Sequence, residues 1–222
     1  MNRSFLAVLI VALALVAQSA NAANISCDFA SVTGGSIRFT GTGDKIEFPN
    51  SGLYDFVITD TTSPNMGGLF GTIGGTFNVG AITGPTSMEQ APITTTDGSF
   101  SIYDGAGGTL TANLDWKDIT VFNKLSGVMN GEGVANLTTI AYTGTNSDLI
   151  GIRDGSEQTV VLAFQFSVLN KKSLTQLMTD GQVNSTSYSG SLSAVPEPST
   201  LVGLAGMGLV GLVLAARRFR KS

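Results

Sequence analysis

Apolar and polar residues alternate with a period of two through most of residues 23–194. On one segment Leu110, Leu114 and Trp116 alternate with polar positions, and residues 160–168 repeat the pattern. A period of two sends successive side chains to opposite faces of the backbone, which is typical of a β-strand. The alternation therefore predicts two strands here, and it places Trp116 on the core side of its strand.

Further short strands follow one another along the chain, separated by turn-forming pairs such as Asp97-Gly98 and Asn130-Gly131. Strands are predicted at residues 25–29, 36–40, 45–48, 54–59, 76–79, 100–103, 109–116, 119–123, 134–142, 160–168 and 185–193. Only residues 172–179 carry apolar residues at helical spacing. Many short strands with one short helix predict an all-β domain, an antiparallel β-sandwich of jelly-roll type.

Two stretches of small residues interrupt this pattern. The glycine-rich residues 67–75 lack the Lys-Ser/Thr ending and the following helix of a phosphate-binding loop, so they are predicted as a loop and a strand edge. Residues 185–194 are open to two interpretations, a last strand or a linker. The serines and glycine of residues 187–193 favour a linker that leaves the domain.

The pattern changes completely at the C-terminus. Residues 201–216 are uncharged and largely apolar, and as a helix they cover about 24 Å of a hydrocarbon core about 30 Å thick. They predict one transmembrane helix. The basic residues 217–221 that follow place the C-terminus in the cytoplasm. This membrane stop signal consists of Arg217, Arg218, Arg220 and Lys221.

A short rigid motif precedes the apolar run. It consists of Val195, Pro196, Glu197 and Pro198. The two prolines fix φ and push the residues before them toward an extended conformation, so a helix cannot continue upstream from the membrane. The motif is therefore predicted to be a short extended peptide suited to the cleft of a protease.

The N-terminus predicts a secretory signal peptide over residues 1–22. Arg3 gives a positive start, residues 6–17 are apolar, and Ala20 and Ala22 form a cleavage site before Ala23. Together with the basic C-terminal tail, this signal predicts an exported domain at residues 23–194. The chain is thus divided into a signal peptide, one exported domain and a C-terminal segment at residues 195–222.

The tripartite tail resembles the PEP-CTERM sorting signal of Gram-negative bacteria, and the resemblance covers only residues 195–222. It implies recognition by exosortase, a membrane-embedded cysteine transpeptidase, after delivery by the secretion machinery. The protein would first be held in the inner membrane and then reach the cell surface or the extracellular matrix. The resemblance also implies an association with extracellular polysaccharide.

Charge and cysteine content narrow the class of partner. The predicted exported domain keeps 7 basic and 15 acidic residues, a net charge of about −8. Such a domain should repel nucleic acid and anionic lipid. Cys27 is the only cysteine, which excludes an internal disulfide. It is predicted as a small buried apolar residue of the first strand.

The chain contains no histidine, which removes serine–histidine and cysteine–histidine pairs and most transition-metal sites. The protein is therefore predicted not to be an enzyme and to use no cofactor. A hydrolase that works with two carboxylates is a third alternative. Its candidate acids are Asp115, Asp118, Glu132 and Glu157.

The leading hypothesis is a non-enzymatic surface or matrix protein, and the alternative is a carbohydrate- or calcium-binding module. Weak calcium candidates are Asn146, Asp148, Asp154 and Glu157, whose spacing fits no established calcium loop. With Trp116 predicted in the core, only tyrosines remain as platforms for a sugar. They are Tyr54, Tyr103, Tyr142 and Tyr188, and no pattern singles one out.

Overall fold

The computed structural model describes residues 24–49, 52–94, 98–123, 129–166 and 172–196. Within these ranges Ile25–Val195 forms one compact unit built from strands and two short helices. In chain order the elements are β1 (Ile25–Ser31), β2 (Ile37–Thr40), β3 (Lys45–Phe48), β4 (Phe56–Thr61), β5 (Phe70–Asn78), β6 (Met88–Pro92), β7 (Gly98–Tyr103), β8 (Thr109–Asn123), β9 (Met129–Tyr142), α1 (Ser147–Arg153), β10 (Gly155–Phe166), α2 (Leu174–Leu177), β11 (Val183–Thr186) and β12 (Tyr188–Pro196).

The strands form one connected, mostly antiparallel network with the order β11-β2-β3-β5-β4-β1-β12-β10-β9-β8-β6. Strand β7 lies off this path and pairs with both β5 and β8. The ladders from β5 through β4, β1, β12, β10, β9, β8 and β7 therefore return to β5 and close a ring. The prediction of an antiparallel all-β domain is confirmed.

Aromatic side chains fill the space between the strands. Phe48 of β3 and Phe77 of β5 lie against Trp116 of β8, with ring centroids 5.8 Å and 5.1 Å from it. Phe29 of β1 and Phe56 of β4 form a second contact at 4.7 Å. Large aromatic side chains bury much apolar surface in such contacts, which supplies a main part of the stability.

Trp116 lies in the core as its alternation predicts, with none of its surface exposed. Its indole N–H donates to the carbonyl of Asp118 at 2.6 Å, so burial leaves no polar atom unpaired. Gly133 of the neighbouring strand leaves room for the ring, because a Cβ there would lie 2.4 Å from the indole.

Of the two interpretations of residues 185–194, the last strand agrees with the structure and the linker does not, because β12 is an inner strand of the network. It lies between β1 and β10, with Leu192 and Ala194 buried. Its small residues have a packing reason. A Cβ on Gly190 would lie 2.4 Å from the Phe29 ring and 2.6 Å from the carbonyl oxygen of Val161.

The helices show one confirmed prediction and one omission. Helix α2 lies within the predicted residues 172–179, and Ser173 and Gln176 form a capping box at its start. Helix α1 was not predicted. It buries Leu149 and Ile152 and contains Gly151, a residue that lowers helix propensity.

The predicted membrane helix at residues 201–216 and the signal peptide at residues 1–22 lie outside the described residues. Among the helices that the structure does describe, none combines the length and the apolar character needed to span a bilayer.

Candidate functional site

The two ends of the described chain are paired side by side. Ile25, the first residue of β1, lies opposite Ala194 near the end of β12. Val195 and Pro196 are the last two residues of β12. Of these two motif residues, Val195 is the one that lies within the compact unit Ile25–Val195.

The other residues of the predicted sorting apparatus lie outside the described part of the chain. They are Glu197 and Pro198 of the motif, Arg217, Arg218, Arg220 and Lys221 of the membrane stop signal, and Ala20, Ala22 and Ala23 at the signal cleavage site.

Local contacts hold the paired ends in place. The Ile25 side chain lies against Gly151 of α1, where a Cβ would come within 2.5 Å of its Cδ1 atom. The Ser26 carbonyl accepts from the backbone N–H of Thr62 at 2.9 Å, and its N–H donates to the Thr62 hydroxyl at 3.1 Å. These bonds attach the start of β1 to the loop after β4.

Cys27 follows in β1 and is buried, as predicted. Burial is the main reason why the pKa of its thiol rises to about 12. The thiol stays protonated at neutral pH, and only the thiolate is a good nucleophile. Cys27 therefore acts as a small apolar residue of the core.

The calcium candidates serve local structure. The Asn146 side-chain oxygen accepts from the N–H groups of Asp148 and Leu149 at 3.0 Å and 3.3 Å, so Asn146 caps α1. Asp148 accepts from the N–H of Asn65 at 3.0 Å and joins the helix to the loop between β4 and β5.

The two remaining calcium candidates lie at the other end of α1. Asp154 pairs with the Arg153 guanidinium at 2.7 Å, and this pairing lowers the pKa of the carboxyl group. The Glu157 side chain lies outside the description. Among the described residues, no three of His, Cys, Asp and Glu come together as a metal site.

Three of the four acids proposed for a hydrolase, Asp115, Asp118 and Glu132, lie on the outer surface of β8 and β9, and the fourth, Glu157, belongs to β10. Asp115 is paired with Lys117. Asp118 lies opposite Val134 and Glu132 lies opposite Thr120, so Asp118 and Glu132 are diagonal neighbours. Both are exposed on an open sheet face. A glycosidase needs its acids across a cleft, with one of them in surroundings that raise its pKa.

The tyrosines separate into two groups. Tyr142 and Tyr188 are buried, and the Tyr142 hydroxyl donates to the Asp104 carboxylate at 2.7 Å. Tyr54 and Tyr103 are half-buried at the surface and lie together, with ring centroids 5.3 Å apart. Only the second pair can offer rings to a ligand.

Phe70 completes this surface group, which we call the aromatic group (Tyr54, Phe70 and Tyr103). Its ring stacks on Tyr54 with centroids 4.9 Å apart and planes inclined by 22°, and 40% of its surface is exposed. Sequence reasoning missed Phe70 because it lies in the glycine-rich stretch assigned to a loop. The one indication in the sequence that Phe70 faces outward is its position two residues before the polar Thr72, since residues two apart on a strand share a face.

The aromatic group borders a regular surface that we call the β5–β7–β8 face. Strand pairing aligns three rows of outward residues across β5, β7 and β8. The rows are Phe70–Tyr103–Thr109, Thr72–Ser101–Thr111 and Gly74–Ser99–Asn113. The residues between them, such as Ile73, Phe100 and Ile102, are buried and support the face from below.

Comparison with known proteins identifies the tail. Residues 194–221 match the family model of the PEP-CTERM protein-sorting motif, which confirms the predicted resemblance. No match was found among the curated proteins or among the solved structures. The motif indicates an exported protein directed to exosortase-type processing machinery. The match begins at Ala194, which is still paired with β1.

Proposed function

We propose that this chain is a non-enzymatic surface or matrix protein that an exosortase-type transpeptidase releases from a C-terminal membrane anchor. The observation that carries the proposal is the sorting-motif match at residues 194–221, which starts on the last strand of the folded domain. The delivered cargo is then the whole antiparallel β domain, which in this proposal associates with extracellular polysaccharide.

The predicted ends of the chain give the order of events. The signal peptide at residues 1–22 starts export, and the apolar residues 201–216 stop it with the basic tail in the cytoplasm. Between Pro196 and the apolar run lie only four residues, Glu197 to Thr200. Processing near this point frees the domain from the membrane.

The chemistry of the described domain supports a non-catalytic role. The chain has no histidine, and the cysteine thiol is buried. The candidate carboxylates Asp118 and Glu132 lie on an open, solvated face where water screens their charges. The alternative function, a carbohydrate-binding module, is favoured by one observation, the surface aromatic group.

The processing proposal is tested by the mass of the protein recovered from a host that contains exosortase. Wild type should lose its tail, whereas a variant with Pro196, Glu197 and Pro198 replaced by alanine should keep it and remain in the membrane fraction. A host without exosortase is the control for other proteases.

The same masses locate the new C-terminus. Because β12 is paired with β1 through Ala194, we expect the cut after Val195, where the chain is no longer held in the ladder. Equal processing of wild type and the triple-alanine variant, or none in either, would refute the proposed role of the motif.

A further inference from the structure

We propose that the β5–β7–β8 face binds an uncharged polysaccharide chain, with the aromatic group as its stacking site. This inference rests on the polysaccharide association in the proposed function, and it gives that association a location and a ligand class. It is carried by two observations together: three aromatic rings reach the surface beside one another, and the adjoining rows are rich in hydroxyl groups and contain no Asp, Glu, Lys or Arg.

The rings are placed where a ligand can reach them. Phe70 and Tyr103 are direct partners across β5 and β7, and Tyr54 packs against both. Leu53 beside them is 77% exposed. A sugar ring has one face rich in C–H groups, and covering an aromatic ring with that face removes apolar surface from water.

The rest of the face complements sugar hydroxyls. The second and third rows present hydroxyl and amide groups, which both donate and accept hydrogen bonds. Gly74 has no side chain, which keeps the third row shallow. The polar members of the three rows are Thr72, Ser99, Ser101, Thr109, Thr111 and Asn113.

Charge decides between neutral and acidic polymers. The nine residues on the face include no Asp, Glu, Lys or Arg. The nearest acids along the strands are already engaged. Asp104 accepts from Ala106 and Gly108, and Asp115 pairs with Lys117. With a net charge of about −8, the exported domain should repel an anionic polysaccharide.

The shape favours a chain over a single sugar. Three rows two residues apart span about 14 Å along the strands, and three strands span about 10 Å across them. The pairing of β7 with both neighbours runs through these rows without a register shift. A polymer can therefore lie across several rows at once.

The test is affinity electrophoresis of the full-length protein in mild detergent. The gels contain hydroxyethyl cellulose, galactomannan or dextran as neutral probes and alginate as the acidic probe. We expect retardation in at least one neutral gel and none in alginate. Tyr103→Ala and Phe70→Ala should each weaken binding about tenfold, the order expected for loss of one aromatic contact.

Two controls separate binding from folding. Met88→Ala removes an apolar side chain that is also 40% exposed, but on β6, and it should bind as wild type does. Tyr103→Phe keeps the ring and should retain most of the affinity. Thermal unfolding of each variant shows whether the fold is intact.

The inference is overturned if no neutral gel retards the protein, if alginate alone does, or if folded Tyr103→Ala and Phe70→Ala variants bind normally. These outcomes are independent of processing. Failed removal of the tail with binding intact would refute the sorting proposal alone, and normal processing without binding would refute this site alone.

Discussion

Two regions of the domain can be compared, the ladder between β1 and β12 and the β5–β7–β8 face. Side chains alternate between inward and outward positions in both, but the residues at those positions differ. In β12, an inner strand between β1 and β10, the inward positions include Tyr188 and Leu192, and a glycine stands at position 190 where the Phe29 ring leaves no room for a side chain. On the face, large residues such as Phe100 and Ile102 point inward, and short polar residues point to solvent.

If both proposals hold, delivery and recognition use different parts of one fold. The ladder joins both chain ends, since Ile25 lies opposite Ala194, so a change there disturbs the domain and the start of the sorting motif together. A change on the outer face alters side chains that few others touch. We therefore expect stability effects to decrease from the core, through the ladder, to the face.

The largest effect is expected for Trp116→Ala. The substitution opens a cavity beneath Phe48 and Phe77 and should lower the free energy of unfolding by about 3 to 5 kcal/mol. Tyr103→Ala on the face is the comparison and should cost less than about 1 kcal/mol. Thermal or urea unfolding measures both, and equal midpoints for the two variants would contradict the contrast.

An intermediate effect is expected for Gly190→Val in β12. Its side chain would meet the Phe29 ring and the Val161 carbonyl at distances below 3 Å. Such overpacking typically costs about 1 to 3 kcal/mol. Ser189→Val, at the exposed neighbouring position, is the matched control and should be nearly neutral. Loss of stability in the control but not in Gly190→Val would show that β12 is less enclosed than its contacts indicate.

Much of the fold could be predicted because its signal is local. The alternation at residues 109–116 lies within β8, and residues 160–166 of the second alternating segment belong to β10. The alternation does not predict a strand or helix where a glycine is present to make room for a side chain from a distant part of the chain. Gly71 of β5 faces the Phe56 ring, where a Cβ would come within 2.1 Å, and Gly151 of α1 faces Ile25. Low propensity there is compensated by contacts with distant strands.

The candidate sites also differ in how much of each could be predicted from the sequence. The sorting motif is contiguous in sequence, so it could be recognised without a structure. The aromatic group draws Tyr54, Phe70 and Tyr103 from three separate segments. The register of β5 with β7 places Phe70 opposite Tyr103, and Tyr54, just before β4, packs against both rings. Calcium candidates such as Asn146 and Asp148 are neighbours in sequence, but the start of α1 uses their oxygens for capping and loop contacts.

Asp55 interacts with both β5 of the β5–β7–β8 face and β12 of the terminal ladder. Its backbone N–H donates to Gly71 of β5, and its carboxylate accepts from the N–H of Ile73 at 3.2 Å. Its charge also helps raise the pKa of Tyr188 in β12, after the larger effect of burial. Only 3% of the residue is exposed, and its second carboxylate oxygen has no hydrogen-bond partner in the structure.

The smallest expected effect is a gain in stability from Asp55→Asn that depends on pH. Burial raises the pKa of Asp55 above its unfolded value near 4. The folded state therefore binds the proton more tightly, and stability falls as pH rises through the folded pKa. Asparagine can still accept from Ile73 and carries no charge.

The variant's advantage over wild type should be smallest near pH 3, where Asp55 is mostly protonated in both states, and larger at pH 7. Urea unfolding at both pH values measures the difference. A loss of stability at pH 7 would mean that the ionised carboxylate has a favourable partner in the folded protein, and that the connection between β5 and β12 depends on charge.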